Sequence, residues 1–206
     1  MKKIMMTLVA AAMATTMNAQ GFIGGKVGYS HFSNDDTRAN TWTIAPEFGF
    51  AISDDWTFGI AIGYETSKGY EFDESSKKVD VTRSAFSIAP YLRYTIARLD
   101  KVNFFTDFGF NYKHGRTTID DAIPTAEFVD GTFVTGTKDK SDDFNSWGLG
   151  IYPGLAVNLN SKLSFVTKIG LVEYFSEHYC GSDVTDKGFN LGIDNSDLSF
   201  SVYYNF

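Results

Sequence analysis

The chain has 206 residues, 43% of them hydrophobic, 16% aromatic and 21% charged, with one cysteine and a formal net charge of −7. That composition excludes intrinsic disorder and a disulfide scaffold, and the acidic balance disfavours nucleic-acid binding. After residue 20 no apolar run approaches the ~20 residues of a membrane helix.

The first element is an address. Lys2 and Lys3 form a charged start, Ile4 to Met17 is apolar but too short to span a bilayer, and Asn18-Ala19-Gln20 reads as a cleavage site. Residues 1–19 are therefore expected to be a cleaved signal peptide, with one domain over 20–206.

From there the hydrophobic period is two. Eight segments alternate apolar with small or polar residues: 21–32, 40–53, 55–68, 81–97, 101–115, 143–158, 162–176 and 196–206. In the second, Trp42, Ile44, Pro46, Phe48 and Phe50 share one face, and Thr43, Ala45, Glu47, Gly49 and Ala51 the other. In the third, Trp56, Phe58, Ile60, Ile62 and Tyr64 oppose Thr57, Gly59, Ala61, Gly63 and Glu65. Each segment is long enough to cross a hydrocarbon layer as a tilted strand.

Glycine decides which face points inward. A water-facing surface needs charge to stay soluble, whereas the interior of a narrow barrel needs small residues to make room for a few large ones. The glycine face is therefore placed inside and the aromatic–aliphatic face in lipid. On this reading Ile62 and Leu92 lie in mid-bilayer, and a serine at Gly59 is expected to be tolerated. The links alternate short and long: Ser53-Asp54-Asp55, Arg98-Leu99-Asp100 and Asn158 to Ser161 are short, and the longest link covers 115–142. Short periplasmic turns and long outer loops are the pattern of outer-membrane barrels, and only a closed sheet satisfies every backbone group in hydrocarbon. The expected fold is all-β: an eight-stranded antiparallel up-and-down transmembrane β-barrel in the cell outer membrane.

Three even strands share Ile-x-Pro: Ile44-Ala45-Pro46, Ile88-Ala89-Pro90 and Ile151-Tyr152-Pro153. Proline has no N–H for the ladder, so a bulge or a missing bond is expected at each.

The exported start, the eight alternating strands, the Ile-x-Pro repeats and the terminal Tyr203-Tyr204-Asn205-Phe206 resemble the small porin-like outer-membrane β-barrels of the OmpA/OmpX type. The resemblance covers the mature chain and lies in architecture. It implies outer-membrane lipid and lipopolysaccharide as surroundings. It also implies recognition by the barrel-assembly machinery, with Phe206 and Tyr204 as the signal. No cell-wall-binding domain is expected after Phe206.

Inside, charges fall at matched heights. Lys26, Glu47, Arg93, Asp107 and Lys168 lie at one level above the periplasmic ends, with Glu65 and Lys113 nearer the outer rim. An unpaired charge in a confined interior is costly, so a polar network that plugs the lumen is expected. The function that follows is a structural or surface-interaction barrel. One alternative is a narrow ion-conducting pore gated by the same charges. Another is an outer-leaflet lipid-modifying enzyme, which needs a histidine with a serine or acid at the outer rim. His31 and His114 have outward parity but no evident partner in the sequence, and the loops of His31 and His178 are expected to be neighbours. No catalytic residue, cofactor or metal site is assigned. Within the longest loop, Phe128, Asp130, Gly131 and Phe133 read as a hairpin turning at Asp-Gly, an edge for a surface protein partner.

Overall fold

In the computed structural model, the described residues are 20–33, 37–72, 78–129, 132–180, 185–192 and 199–206. They form ten strand segments: β1 (Gly21–Ser33), β2 (Thr37–Ala51), β3 (Trp56–Phe72), β4 (Lys78–Arg98), β5 (Val102–Val129), β6 (Thr132–Asn158), β7 (Leu163–Lys168), β8 (Val172–Cys180), β9 (Thr185–Leu191) and β10 (Ser199–Asn205). Every pairing is antiparallel, and β1 to β6 pair in sequence order. β6 then pairs with β7 low in the wall and with β8 higher up. β8 pairs with β9, β7 with β10, and β10 with β1 from Phe22↔Asn205 to Gly25↔Val202, which closes the barrel. The wall therefore has eight staves, and the seventh and eighth are each built from two segments. The expected signal peptide, residues 1–19, lies outside the described residues.

The turns at the closed end are short for local reasons. Ser53 Oγ accepts from Trp56 N at 3.2 Å, and Asn160 Oδ1 accepts from Lys162 N and Leu163 N at 2.8 and 2.9 Å. Side chains thus replace ladder partners where the chain reverses. Phe206 N and O exchange hydrogen bonds with Gly21 at 2.9 and 3.1 Å, so both ends of the barrel domain meet at this rim.

The inside-out pattern is realised. Val27, Ile44, Phe48, Ile88, Leu92, Phe108, Leu149 and Val202 are exposed on the outer wall. Phe22, Tyr91, Phe105, Phe144 and Tyr203 are buried within the barrel. Glycine makes room for these rings. A Cβ at Gly49 would collide with the Phe22 ring, one at Gly59 with Tyr91, one at Gly115 with Phe144, and one at Gly154 with Phe105. The expectation that serine at Gly59 is tolerated is therefore corrected, because the Tyr91 ring lies directly over that backbone.

The prolines interrupt the ladder on one side each. Between β2 and β3 the pairing skips from Ile44↔Tyr64 to Glu47↔Ala61, and between β4 and β5 from Ile88↔Tyr112 to Tyr91↔Gly109. At Pro153 the facing stave itself breaks over Ile169-Gly170-Leu171, and β6 shifts register by one residue between β7 and β8. The missing N–H of each proline accounts for the gap toward the following stave. Two further departures concern the last staves. The seventh segment, expected to be continuous over 162–176, is divided at that break. The stretch Thr185–Leu191, which falls between the expected strands 162–176 and 196–206, is strand β9. Only Phe189 and Leu191 mark its outward face, and the polar run before them hides the alternation.

Candidate functional site

The barrel interior holds a continuous polar network supplied by five staves. Inward parity on β4 and β5 sets Arg93 opposite Asp107 in register. The guanidinium grips the carboxylate at two points, Nε to Oδ1 at 2.7 Å and Nη2 to Oδ2 at 3.0 Å. Its flat face lies over the Phe105 ring, 3.8 Å from the centroid. Lys168 on β7 bridges the two acids, with Nζ 3.3 Å from Glu47 Oε2 and 3.4 Å from Asp107 Oδ2. Two phenols complete Glu47: Tyr203 OH donates to Oε2 at 2.5 Å and Tyr91 OH at 3.1 Å. Arg93 Nη2 reaches Tyr203 OH at 3.4 Å, which links the two halves. Glu47 and Asp107 are 2% and 1% exposed, so water hardly reaches the centre of this layer. Two acids against two cations make it neutral, and charge-assisted, bidentate bonds offset the desolvation that burial demands.

Of the residues expected in one ring, Glu47, Arg93, Asp107 and Lys168 are brought together. Lys26 lines a cavity of about 330 Å³ above them, whose wall Glu47, Asp107 and Lys168 share with Asn111, Lys113 and Glu173. Lys113 and Glu65 face each other loosely at 3.8 Å, both about one-third exposed. Asn111 Oδ1 is buried there without a hydrogen-bond partner among the described residues. A second constriction lies nearer the outer rim. Arg83 Nη2 meets Glu177 Oε2 across the barrel at 2.5 Å, and its guanidinium covers the fully buried Phe144 ring at 3.9 Å. Reading the sequence missed Tyr91, Tyr203 and the Arg83–Glu177 pair. Their inward parity was visible, but which partner each meets across the lumen was not.

Tyr204 and Phe206 point outward at the closed rim, 43% and 62% exposed. In the longest outer connection the β5–β6 ladder runs from Ile123↔Lys138 to Val129↔Thr132, after an irregularity between Ile119 and Ile123, and pairs Phe128 with Phe133. Asp130 and Gly131 lie outside the described residues. Below, at the rim, Arg116 holds Asp143 at 2.6 Å, and that hydrogen bond keeps the Asp143 carboxyl below its ordinary range.

His31 and His114 do have partners: each imidazole Nδ1 lies against an asparagine Oδ1, of Asn40 at 2.8 Å and of Asn145 at 2.9 Å. An amide is neither an acid nor a base, so neither pair forms the histidine dyad that lipid-modifying chemistry needs. His178 neighbours Asn145 in the ladder, which places it with His114 rather than with the stave of His31. Cys180 Sγ accepts from Asn145 Nδ2 at 3.1 Å.

A closed antiparallel sheet with an apolar outer wall and a charged, filled interior defines an integral outer-membrane β-barrel, set in lipid and lipopolysaccharide in the cell outer membrane. The chain belongs to the family described as outer membrane protein beta-barrel domain, which matches residues 4–206. It is similar to a major outer membrane protein from Thermus thermophilus, with 15% identity, 92% of this chain and 100% of that one covered, and a TM-score of 0.56. It is also similar to Ail of Yersinia pestis in complex with the heparin analogue sucrose octasulfate, at 14% identity, coverage of 92% and 100%, and a TM-score of 0.46. A third likeness is outer membrane protein W of E. coli, at 13% identity, coverage of 91% and 98%, and a TM-score of 0.47. No curated protein matches the sequence.

Proposed function

We propose that this barrel is a non-catalytic surface protein whose lumen is plugged and whose binding is done by its outward extension. On this reading residues 1–19 direct export, Phe206 and Tyr204 are read by the assembly machinery, and the β5–β6 extension engages a protein partner outside the cell. The observation that carries the plug is the burial of Glu47 and Asp107 within a network that reaches from β2 to β10. Eight staves give an interior that side chains fill, and here they are tied to one another across the lumen. The extension supports the partner role because a two-stranded ribbon exposes unpaired backbone groups along its edges, and an extended segment can add to such an edge. The test joins planar-bilayer recording with deletion of residues 121–139. The native barrel is expected to pass no steady current. The deletion is expected to keep the heat-modifiable gel shift of a folded barrel and to lose capture of surface partners. Steady ion conductance by the native barrel would favour the narrow pore. Undiminished capture by the deletion would remove the extension from the function.

A further inference from the structure

The outer girdle of the barrel repeats by hairpin. Tyr29 faces Trp42, Tyr64 faces Phe86, Tyr112 faces Trp147 and Tyr174 faces Phe189, each pair in register across one hairpin. All point outward, so this ring marks the outer edge of the apolar band. Two residues further out the hairpins diverge. On β3–β4 the pair is Thr66 and Ser84, hydroxyl to hydroxyl at 3.1 Å. On β1–β2 it is His31 and Asn40, and on β5–β6 it is His114 and Asn145.

These two clusters are the same construction. Asn40 Oδ1 accepts from Tyr29 OH at 3.0 Å and lies 2.8 Å from His31 Nδ1. Asn145 Oδ1 accepts from Tyr112 OH at 2.8 Å and lies 2.9 Å from His114 Nδ1. The motif is Tyr-x-His on the odd strand and Asn-x-Trp on the even strand, and it occurs at Tyr29/His31/Asn40/Trp42 and at Tyr112/His114/Asn145/Trp147. An amide oxygen only accepts, so in this arrangement each imidazole donates from Nδ1. Trp42 stands 4.8 Å from Tyr29, centroid to centroid, and both are exposed. Trp147 stands 5.4 Å from Tyr174. Each cluster thus presents flat aromatic faces below and polar side chains above.

We infer that each cluster is a seat for the saccharide headgroup of an outer-leaflet glycolipid, one on each of two opposite sides of the barrel. Height is the first argument. Two residues along a tilted strand place the His–Asn pair roughly 5 Å beyond the aromatic ring, which is headgroup level. Direction is the second: the side chains leave the wall outward, toward lipid, not into the lumen. Chemistry is the third. A phosphate would call for clustered arginine or lysine. An amide, an imidazole, a phenol and a tryptophan face instead match a hydroxylated ring with one apolar side. The glycolipid's acyl chains then lie along the apolar wall beneath, where Ile44 and Val27 are exposed below the first cluster and Leu149 below the second. The second seat differs in three respects: Asn145 Nδ2 is engaged by Cys180 Sγ, Trp147 packs near Tyr174 of the next stave, and the Arg116–Asp143 ion pair stands two residues further out.

The experiment refolds the protein into phosphatidylethanolamine–phosphatidylglycerol vesicles with or without deep-rough lipopolysaccharide, extracts it in mild detergent, and counts carried lipids by native mass spectrometry. The native barrel is expected to carry up to two glycolipids. Asn40→Leu and Asn145→Leu should each carry one at most, and the double variant none, while Thr66→Ala on the β3–β4 hairpin keeps both. Heat-modifiable mobility checks that each variant folds. Should an Asn→Leu variant misfold, Tyr29→Phe with Tyr112→Phe removes only the hydroxyls and should lower glycolipid retention several-fold. Full retention by the folded double variant, or by the Tyr→Phe pair, overturns the proposal. So does equal retention of phosphatidylglycerol, or binding of the deacylated core oligosaccharide as firm as that of the intact glycolipid.

Discussion

Arg93 is held by geometry that lysine cannot copy: two parallel bonds to Asp107, a ring beneath at 3.8 Å and a phenol beside the Nη2 that also binds Asp107. Truncating it leaves two buried carboxylates with only Lys168 between them. Arg93→Leu is therefore expected to cost about 3–5 kcal/mol in urea unfolding from lipid vesicles, less where lumen water relaxes in. Because Asp107 is the direct partner and Glu47 is reached through Tyr203, Asp107→Asn should rescue more of that loss than Glu47→Gln. Additive double-mutant cycles at both positions would dissolve the network. The glycines divide in the same way. A Cβ at Gly28 meets Thr43 at an ordinary 3.6 Å, whereas one at Gly59 runs into Tyr91. Gly28→Ala should change stability by less than about 1 kcal/mol, and Gly59→Ala should displace Tyr91 from Glu47. Equal unfolding midpoints for the two variants would refute the ring-over-backbone account. The level shared by Glu47, Arg93, Asp107 and Lys168 was readable by counting residues up each strand. The displacement of Lys26 into the cavity above was not, because strand stagger shifts heights between staves.

At the scale of the element, alternation told which face is which, since every stave inside the membrane has one apolar and one small-residue face. Ile62 and Leu92 point outward as that pattern requires, with Leu92 42% exposed. Arginine at either is expected to cost about 2–4 kcal/mol, by refolding titration in vesicles. Tolerance at both would place this face in water. The Ile-x-Pro repeats foretold interruptions, and the register shows them on the side of the next stave each time. Pro90→Val returns a donor to the β4–β5 gap between Ile88 and Tyr91. Amide exchange at Phe110 and Asn111 should slow, and the unfolding midpoint should rise. Unchanged exchange would mean that the gap has a cause other than the missing N–H. The split of the last two staves lay beyond sequence reading. β9 turns Phe189 and Leu191 outward but opens on the polar run Thr185-Asp186-Lys187-Gly188, so its period-two stretch is too short to read as a strand, and pairing with β8 marks it. The Tyr–His–Asn–Trp clusters were hidden for a similar reason. Tyr29 and Trp42 are separated in the chain and become neighbours through a register that the loop between them does not encode.

At the scale of the whole molecule, the two interior constrictions differ in what they exclude. The lower layer joins β2, β4, β5, β7 and β10, and its acids are nearly water-free. The upper one is a single bridge, Arg83 to Glu177, whose arginine side chain is 35% exposed. Burial is deeper in the lower layer, so the seal is expected there. Opening the upper bridge by Glu177→Ala should leave the barrel electrically silent in planar bilayers. It should only give water freer access to the cavity beside Lys113 and Asn111. Replacing Tyr91 and Lys168 together by alanine removes a ring and a cation from the lower layer and leaves Asp107 held by Arg93. That variant should show discrete current steps with a preference for cations, since Glu47 then faces the opened path without Lys168. Steps from Glu177→Ala alone would move the seal to the outer rim. Silence from the folded Tyr91→Ala/Lys168→Ala variant would show that Phe22, Phe105 and Tyr203 close the lumen without the charges, so that the network's contribution is to stability rather than to the barrier.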